Sequence, residues 1–183
     1  MLHIGINMKN IVIGVDIDDV VINLMDQWLF EYNCDYEDNL TRNNILEWDV
    51  SKFVKSECGK KIYDYIENPA IYDYCEPVKD SYEGIQFLRT LGRVVFITNP
   101  TIGCAGRKYV WLKENGYIDD MKDYIEAKDK SLINYDYLID DNFNNINLSS
   151  KPNVLFTQTW NMQYYYPIRM RSWREFIDKK KGK

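Results

Sequence analysis

Two carboxylates, Asp16 and Asp18, stand one residue apart directly after an apolar run of strand character at 11–15. Side chains at positions i and i+2 of a strand share a face, and open α/β sheets bind ligands at the carboxyl ends of their strands. Two anionic groups so close require a cation, and oxygen donors suit Mg²⁺. The pair could hold a metal ion, attack a phosphorus atom and transfer a proton. An acidic turn after a strand explains these two residues equally well.

Three later segments contain the groups that such a pair would need. Thr98 and Asn99 end a second apolar run, and their hydroxyl and amide groups suit a phosphoryl oxygen. Lys130 precedes another apolar run, which ends in the adjacent carboxylates Asp140 and Asp141. Each segment alone reads as a turn or a solvated loop. Two acidic strand ends, with a hydroxyl and a lysine between them, are hard to ascribe to chance.

Histidine is nearly absent, and this excludes several kinds of chemistry. The only histidine is His3, within a segment (1–8) that we expect to be a flexible leader. A Ser-His-Asp triad, a Cys-His pair, a phosphohistidine and a histidine-based zinc site are therefore disfavoured. Any hydrolytic chemistry must depend on carboxylates, a metal ion and lysine.

Composition limits the partners and the location. The chain has 28 acidic and 23 basic residues, which argues against stable binding to nucleic acid. It contains no run approaching the ~20 apolar residues of a membrane span and no signal-peptide pattern at its start. Its four cysteines lack the Cys-x-x-Cys spacing, and reduced thiols fit them best. We expect a cytoplasmic protein with no membrane partner.

The elements that would position these groups alternate along the chain. Strand-like runs fall at 11–15, 94–98, 137–139 and 154–156, and helical patterns at 80–91, 106–115 and 172–180. This alternation predicts an α/β fold, a Rossmann-like and mostly parallel sheet with right-handed crossovers.

The segment 23–76 interrupts this alternation. It is too long for a simple loop between strand and helix, and it is helix-rich and aromatic. We interpret it as a small helical cap inserted into a core formed by 9–22 and 77–183. Most of its rings should pack inside, and a minority could line a pocket for a flat heterocycle.

The ordered set Asp16-x-Asp18, Thr98, Lys130 and Asp140-Asp141 resembles the four motifs of the haloacid dehalogenase (HAD) superfamily of phosphatases. Within it, the chain is similar to the 5′(3′)-deoxyribonucleotidases over nearly its whole length after Lys9. Further segments that match that family's pattern are Glu76-Pro77, Lys108-Tyr109-x-Trp111, Asp129-Lys130, Leu138-Ile139-Asp140-Asp141 and Leu155-Phe156-Thr157.

The resemblance implies a mechanism and a cofactor. Asp16 would attack phosphorus to give an aspartyl-phosphate, and Asp18 would act as general acid and then as general base. Mg²⁺ would be held by the Asp16 carboxylate, the Asp18 backbone carbonyl and one carboxylate of Asp140 and Asp141, of which we favour Asp140.

The phosphate would be bound by three further residues. The resemblance implies that Lys130 neutralises the phosphoryl oxygens, while Thr98 and the Asn99 backbone hold another oxygen. Two residues depart from the family pattern. Asp19 stands where many relatives have glycine, and Asn99 stands where the animal enzymes have serine near the sugar, so the preference for deoxyribose is not fixed.

The cap would select the substrate. In the family that this chain resembles, aromatic cap residues stack on the base, and pyrimidine monophosphates such as dUMP and dTMP are preferred. The candidates here are Leu24, Trp28 and Trp48. The alternatives are a related phosphatase acting on another small phosphate ester or a polynucleotide 3′-phosphate, and a catalytically silent binding protein. The sequence leaves a homodimer open.

Overall fold

The structure is a computed structural model that describes residues 11–99, 101, 103–147 and 150–180, so the predicted leader (1–8) lies outside the described residues. The strands are β1 (Val12–Val15), β2 (Arg93–Thr98), β3 (Tyr124–Glu126), β4 (Tyr137–Asp140), β5 (Val154–Phe156) and β6 (Arg169–Met170). The α-helices are α1 (Leu24–Tyr36), α2 (Asp64–Glu67), α3 (Ser81–Leu91), α4 (Ala105–Glu114), α5 (Phe143–Asn147) and α6 (Trp173–Lys180). None of the helices among the described residues is long and apolar enough to cross a membrane.

The strands form one parallel sheet in the order β3-β2-β1-β4-β5-β6, which confirms the predicted Rossmann-like α/β fold. The first strand is central and therefore apolar on both faces. Its neighbours approach closely at Gly14, where a β-carbon would lie 2.8 Å from Cδ1 of Ile97. Because β2 and β4 flank β1, the polar residues at the carboxyl ends of these three strands meet at one edge of the sheet.

Helices cover both faces of this sheet. Val94 and Phe96 of β2 belong to one hydrophobic cluster, and Val95 and Ile97 belong to a second cluster. Alternate residues of a strand point to opposite faces, so the two clusters are the two sides of the core. The first cluster continues into the inserted segment, where it includes Trp28.

Every element of regular secondary structure in the inserted segment is a helix. Besides α1 and α2, it contains short 3₁₀ helices at Arg42–Asn44, Val50–Lys52, Gly59–Tyr63 and Pro69–Tyr74. The chain leaves and re-enters the core at one point, because Ile22 pairs with Pro77 and the Asn23 amide donates to the Glu76 carbonyl at 2.9 Å. We therefore propose that 23–76 is the cap, and we use that name below.

Three elements escape sequence-based prediction because they are short. Strands β3 and β6 have three and two residues, and helix α5 has five, which is too little to establish a periodic pattern. Within the helix-rich cap, Arg42–Asn44 and Val50–Lys52 form only single 3₁₀ turns.

Candidate active site

A cavity of about 300 Å³ opens at the carboxyl edge of the sheet, between the core and the cap. Its floor is polar and charged, and it includes Asp16, Asp18, Asp19, Asn99, Lys128, Lys130, Asp140, Asp141, Asn142 and Asn145. Its roof comes from the cap and is mostly apolar or aromatic, with Leu24, Met25, Trp28, Glu47, Trp48, Val50, Tyr63 and Ile66. Every residue predicted for the site except Thr98 lines this one cavity.

Three buried carboxylates form the centre of the floor. Asp16, Asp140 and Asp141 each offer one oxygen within 4.8 Å of the other two. The buried ammonium of Lys130 donates to Asp140 Oδ2 at 2.8 Å and also to the Asp16 carboxylate. One lysine therefore bridges the ends of β1 and β4, at which the predicted nucleophile, Asp16, and the predicted acidic pair lie.

If all three carboxylates were ionised, this cluster would carry more negative charge than Lys130 can balance. Burial raises the pKa of Asp16 to about 7, although the Lys130 ammonium opposes this rise. Burial, reinforced by Asp16 and Asp140, also raises the pKa of Asp141 well above its usual value. A divalent cation would remove the excess charge, and carboxylate oxygens are the donors that Mg²⁺ prefers. These residues therefore fit the metal ion that the sequence predicted.

The paired carboxylates at the end of β4 are held by different partners. Asp140 accepts hydrogen bonds from the backbone amide of Asn142 at 2.7 Å and from the side-chain amide of Asn145 at 3.0 Å. Asp141 Oδ2 accepts the indole N–H of Trp160 at 2.8 Å. These contacts fix the orientation of both carboxylates.

The Asp18 carboxylate is held by two residues that sequence reasoning gave no role. Lys108 on α4, fully buried, donates to Asp18 Oδ2 at 2.5 Å. The hydroxyl of Tyr72 in the cap donates to Asp18 Oδ1 at 3.3 Å, and burial raises the pKa of Tyr72 well above its usual value, so it remains a donor. Two signals for Lys108 were available in the sequence: the match of Lys108-Tyr109-x-Trp111 to the family's pattern, and the position of Lys108 one helical turn before the apolar Leu112.

Thr98 and Asn99 occupy different positions around the cavity. Thr98 is fully buried, and its hydroxyl accepts a hydrogen bond from Lys108 at 2.9 Å. Asn99 is exposed and lines the cavity, as does Lys128. The direct contact with phosphate that was expected of Thr98 therefore stays a prediction, and its observed partner is Lys108.

The two predicted tryptophans differ in what they offer a ligand. Trp28 is buried, its N–H donates to the Ile62 carbonyl at 2.6 Å, and its ring packs against Tyr63 at 5.7 Å between centroids. Trp48 is 56% exposed although it lines the same cavity. Trp48 can therefore offer an open ring face, while Trp28 lines the cavity from the buried interior of the cap.

Asp19 has a different environment from the carboxylate cluster. Its Oδ1 accepts the Met25 amide at 3.0 Å and the Arg42 guanidinium at 3.2 Å. Burial raises its pKa to about 7, although Arg42 opposes the rise. Asp19 thus connects the loop after β1 to the cap.

Comparison with known proteins agrees with this geometry. Residues 9–181 match the family model described as 5′ nucleotidase, deoxy (pyrimidine), cytosolic type C protein. The chain is 28% identical over 168 residues to a 5′(3′)-deoxyribonucleotidase of Clostridium acetobutylicum, covering 92% of this chain and 93% of the relative. It is 24% identical over 156 residues to the cytosolic-type human 5′(3′)-deoxyribonucleotidase, covering 77% and 78%.

The fold is also similar to that of solved structures. The magnesium-bound HAD hydrolase YfnB of Bacillus subtilis superposes with a TM-score of 0.57 at 11% identity, covering 93% of this chain and 98% of that one. At this identity the similarity concerns the fold alone.

Proposed function

Because this chain belongs to the family of 5′ nucleotidase, deoxy (pyrimidine), cytosolic type C proteins, we propose that it is a Mg²⁺-dependent phosphatase of nucleoside monophosphates. Membership makes it a phosphoric monoester hydrolase. The observation that carries the proposal is the bridge from Lys130 to both Asp16 and Asp140, inside a buried acidic cluster at the floor of a two-sided cavity.

Asp16 and Asp18 divide the chemistry between them. A carboxylate oxygen of Asp16 forms a bond to phosphorus while the ester P–O bond breaks, and the leaving ribose oxygen takes a proton from Asp18. In the second step, Asp18 removes a proton from water as the water oxygen bonds to phosphorus. The P–O bond to Asp16 then breaks, phosphate leaves, and both carboxyl groups return to their starting state.

Lysine and metal offset the repulsion between an anionic nucleophile and an anionic substrate. Lys130 places a buried positive charge beside Asp16, where the phosphoryl oxygens would lie. Asp16, the Asp18 carbonyl and one carboxylate of the adjacent pair, for which we favour Asp140 over Asp141, would hold Mg²⁺, which would supply the remaining charge neutralisation. Lys108 and Tyr72 orient the Asp18 carboxyl toward the leaving group.

The cap supports a nucleotide as the substrate. The charged floor accommodates a phosphate, and the exposed ring of Trp48 can stack on a base, with Leu24 and Trp28 lining the same cavity. By analogy with the relatives, we propose that the base is a pyrimidine and that the protein is cytoplasmic. A homodimer stays a prediction.

A phosphate-release screen tests this function. We expect release from deoxynucleoside monophosphates in the presence of Mg²⁺, with pyrimidines ahead of purines, and none from the Asp16→Asn variant. The matched control is Asp119→Asn, which changes an exposed carboxylate and should keep full activity. Turnover by Asp16→Asn would overturn the nucleophile assignment. Turnover of small phosphate esters, but of no nucleotide, would overturn the substrate assignment.

The covalent intermediate has its own test. Acid quenching during turnover should leave one phosphoryl group on the peptide that contains Asp16, detectable by mass spectrometry. Asp18→Asn should slow both formation and breakdown of this species, because one residue serves as acid and base.

A further inference from the structure

The loop after β1 contains a residue in an unfavourable backbone conformation. Asp19 has a φ of 56°, in the left-handed region that is unfavourable for residues other than glycine. Its buried carboxylate accepts two hydrogen bonds from the cap, from the Met25 amide near the start of α1 and from Arg42. A glycine at this position would adopt the positive φ without a steric cost, but it has no carboxylate to accept these hydrogen bonds.

Arg42 binds acceptors on both sides of the boundary between core and cap. On the cap side, its Nε donates to Asp26 Oδ1 at 2.7 Å, and it also donates to the Asn23 side-chain oxygen. On the core side, its Nη2 donates to Asp19 at 3.2 Å and its Nη1 to Gln158 Oε1 at 3.0 Å. A guanidinium has five donors in a rigid fork, so one side chain links four acceptors.

Gln158 closes this arrangement into a ring. Its Nε2 donates to the Asp19 carbonyl at 2.6 Å while its Oε1 accepts from Arg42. The neighbouring Thr159 hydroxyl donates to the Arg42 carbonyl at 2.9 Å. Both Asp19 and Gln158 are buried, so the hydrogen bonds of the ring are poorly screened by solvent.

The ring is adjacent to the residues that follow β1 and to those that follow β4. Asp19 follows Asp18 directly, and the Arg42 guanidinium lies 5.9 Å from the centroid of the Trp160 ring. The Trp160 N–H in turn holds Asp141. Arg42, which contacts the cap, is therefore linked through Trp160 to Asp141 in the floor of the cavity.

On the basis of the function proposed above, we propose that Arg42 is a positioning residue that sets the spacing between the base-binding roof and the phosphoryl floor. A nucleotide must contact both surfaces at once, whereas a phosphate ester without a base contacts mainly the floor. Fixing the roof in advance removes an ordering cost from nucleotide binding. Arg42, Asp19 and Gln158 would therefore determine the affinity for nucleotides.

The test compares two substrates in Arg42→Ala. We expect the KM of the best nucleotide from the screen to rise roughly tenfold, which corresponds to about 1.4 kcal/mol and lies within the contribution of a hydrogen bond to a charged group. For p-nitrophenyl phosphate, kcat/KM should change less than about threefold. Equal losses on both substrates, or an unchanged nucleotide KM, would overturn the role.

Arg107→Ala is the matched control. Arg107 on α4 pairs with Asp73 of the cap, so it is also an ion pair between core and cap, but a partly exposed one. Such pairs contribute little, and we expect the nucleotide KM to change less than about twofold. A rise equal to that of Arg42→Ala would mean that any link to the cap has this effect, which contradicts a specific role for the ring.

Gln158→Ala and Arg42→Lys change the ring less and cover the case in which Arg42→Ala folds poorly. Where Arg42→Ala folds, a double-mutant cycle tests whether Arg42 and Gln158 act together. Gln158→Ala breaks the ring from the core side, and its effect on nucleotide KM should not add to that of Arg42→Ala. Arg42→Lys retains the charge but not the fork and should recover only part of the affinity. If the effects of the two variants on the nucleotide KM were fully additive, Arg42 and Gln158 would not act together, and the proposed role of the ring would be wrong. A wild-type protein that hydrolyses p-nitrophenyl phosphate but no nucleotide would refute the proposed function itself.

Discussion

The ammonium of Lys108 lies 2.5 Å from Asp18 Oδ2 and 2.9 Å from the Thr98 hydroxyl, so a buried lysine on α4 connects the polar groups that follow β1 and end β2. Lys108 does not line the cavity. We propose that it acts on catalysis through its contacts with Asp18 and Thr98, the first of which transfers the proton.

Replacing Lys108 should slow the chemical step. We expect Lys108→Met to lower kcat by about a hundredfold, within the range that a positioned general acid contributes. The KM should change little, because the ammonium does not face the ligand. Steady-state kinetics on a nucleotide and on p-nitrophenyl phosphate should show the same loss for both. Lys113→Met, on the exposed side of the same helix, is the control, and an unchanged kcat in Lys108→Met would refute this role.

The grouping of the polar strand ends could be predicted from the sequence. Residue type identifies these residues, and the adjacency of parallel strands brings them together. Asp16 and Asp140 follow recognisable apolar runs, and parallel strands bring such ends to one edge whatever the rest of the chain does. Tyr72 and Arg42 were not predictable in the same way. Their partners lie 54 and 23 residues away in sequence, and only the packing of the cap determines which cap side chains reach the floor.

Removing the metal should abolish activity and lower stability. At a Mg²⁺ concentration of about 100 times Kd, binding to the folded state adds about 2.7 kcal/mol, which corresponds to a rise of roughly 5–10 °C in Tm. Asp140→Asn should remove most of this rise, since it deletes one charge from the cluster. Thermal unfolding of the wild-type protein and of Asp140→Asn, each with Mg²⁺ or with EDTA, measures the rise in Tm and its loss. Asp119→Asn should retain the full shift, and an EDTA-insensitive rate of phosphate release would refute the metal requirement.

The packing of α3 against α6 predicts a stability difference between two glycines. A β-carbon at Gly84 would lie 2.7 Å from Cδ2 of the buried Trp173 ring. Gly84→Ala should therefore destabilise the fold by about 1–3 kcal/mol, the usual cost of overpacking. A β-carbon at Gly106, in the first turn of α4, would meet no described atom within 4 Å beyond its own helix backbone and chain neighbours, so Gly106→Ala should be neutral or stabilising by up to about 1 kcal/mol. Denaturant unfolding of both variants decides this, and equal stabilities would contradict the packing.

The exposed ring of Trp48 should separate binding of the base from binding of the phosphate. Stacking of a base on an aromatic side chain contributes about 1–3 kcal/mol, so Trp48→Ala should raise the nucleotide KM roughly 5- to 150-fold. The KM for p-nitrophenyl phosphate should change far less, because that substrate has no nucleobase. Phe30→Ala is the matched control, since Phe30 is a similarly exposed cap aromatic outside the cavity. Equal effects of Trp48→Ala on both substrates would mean that Trp48 shapes the cavity without contacting the base.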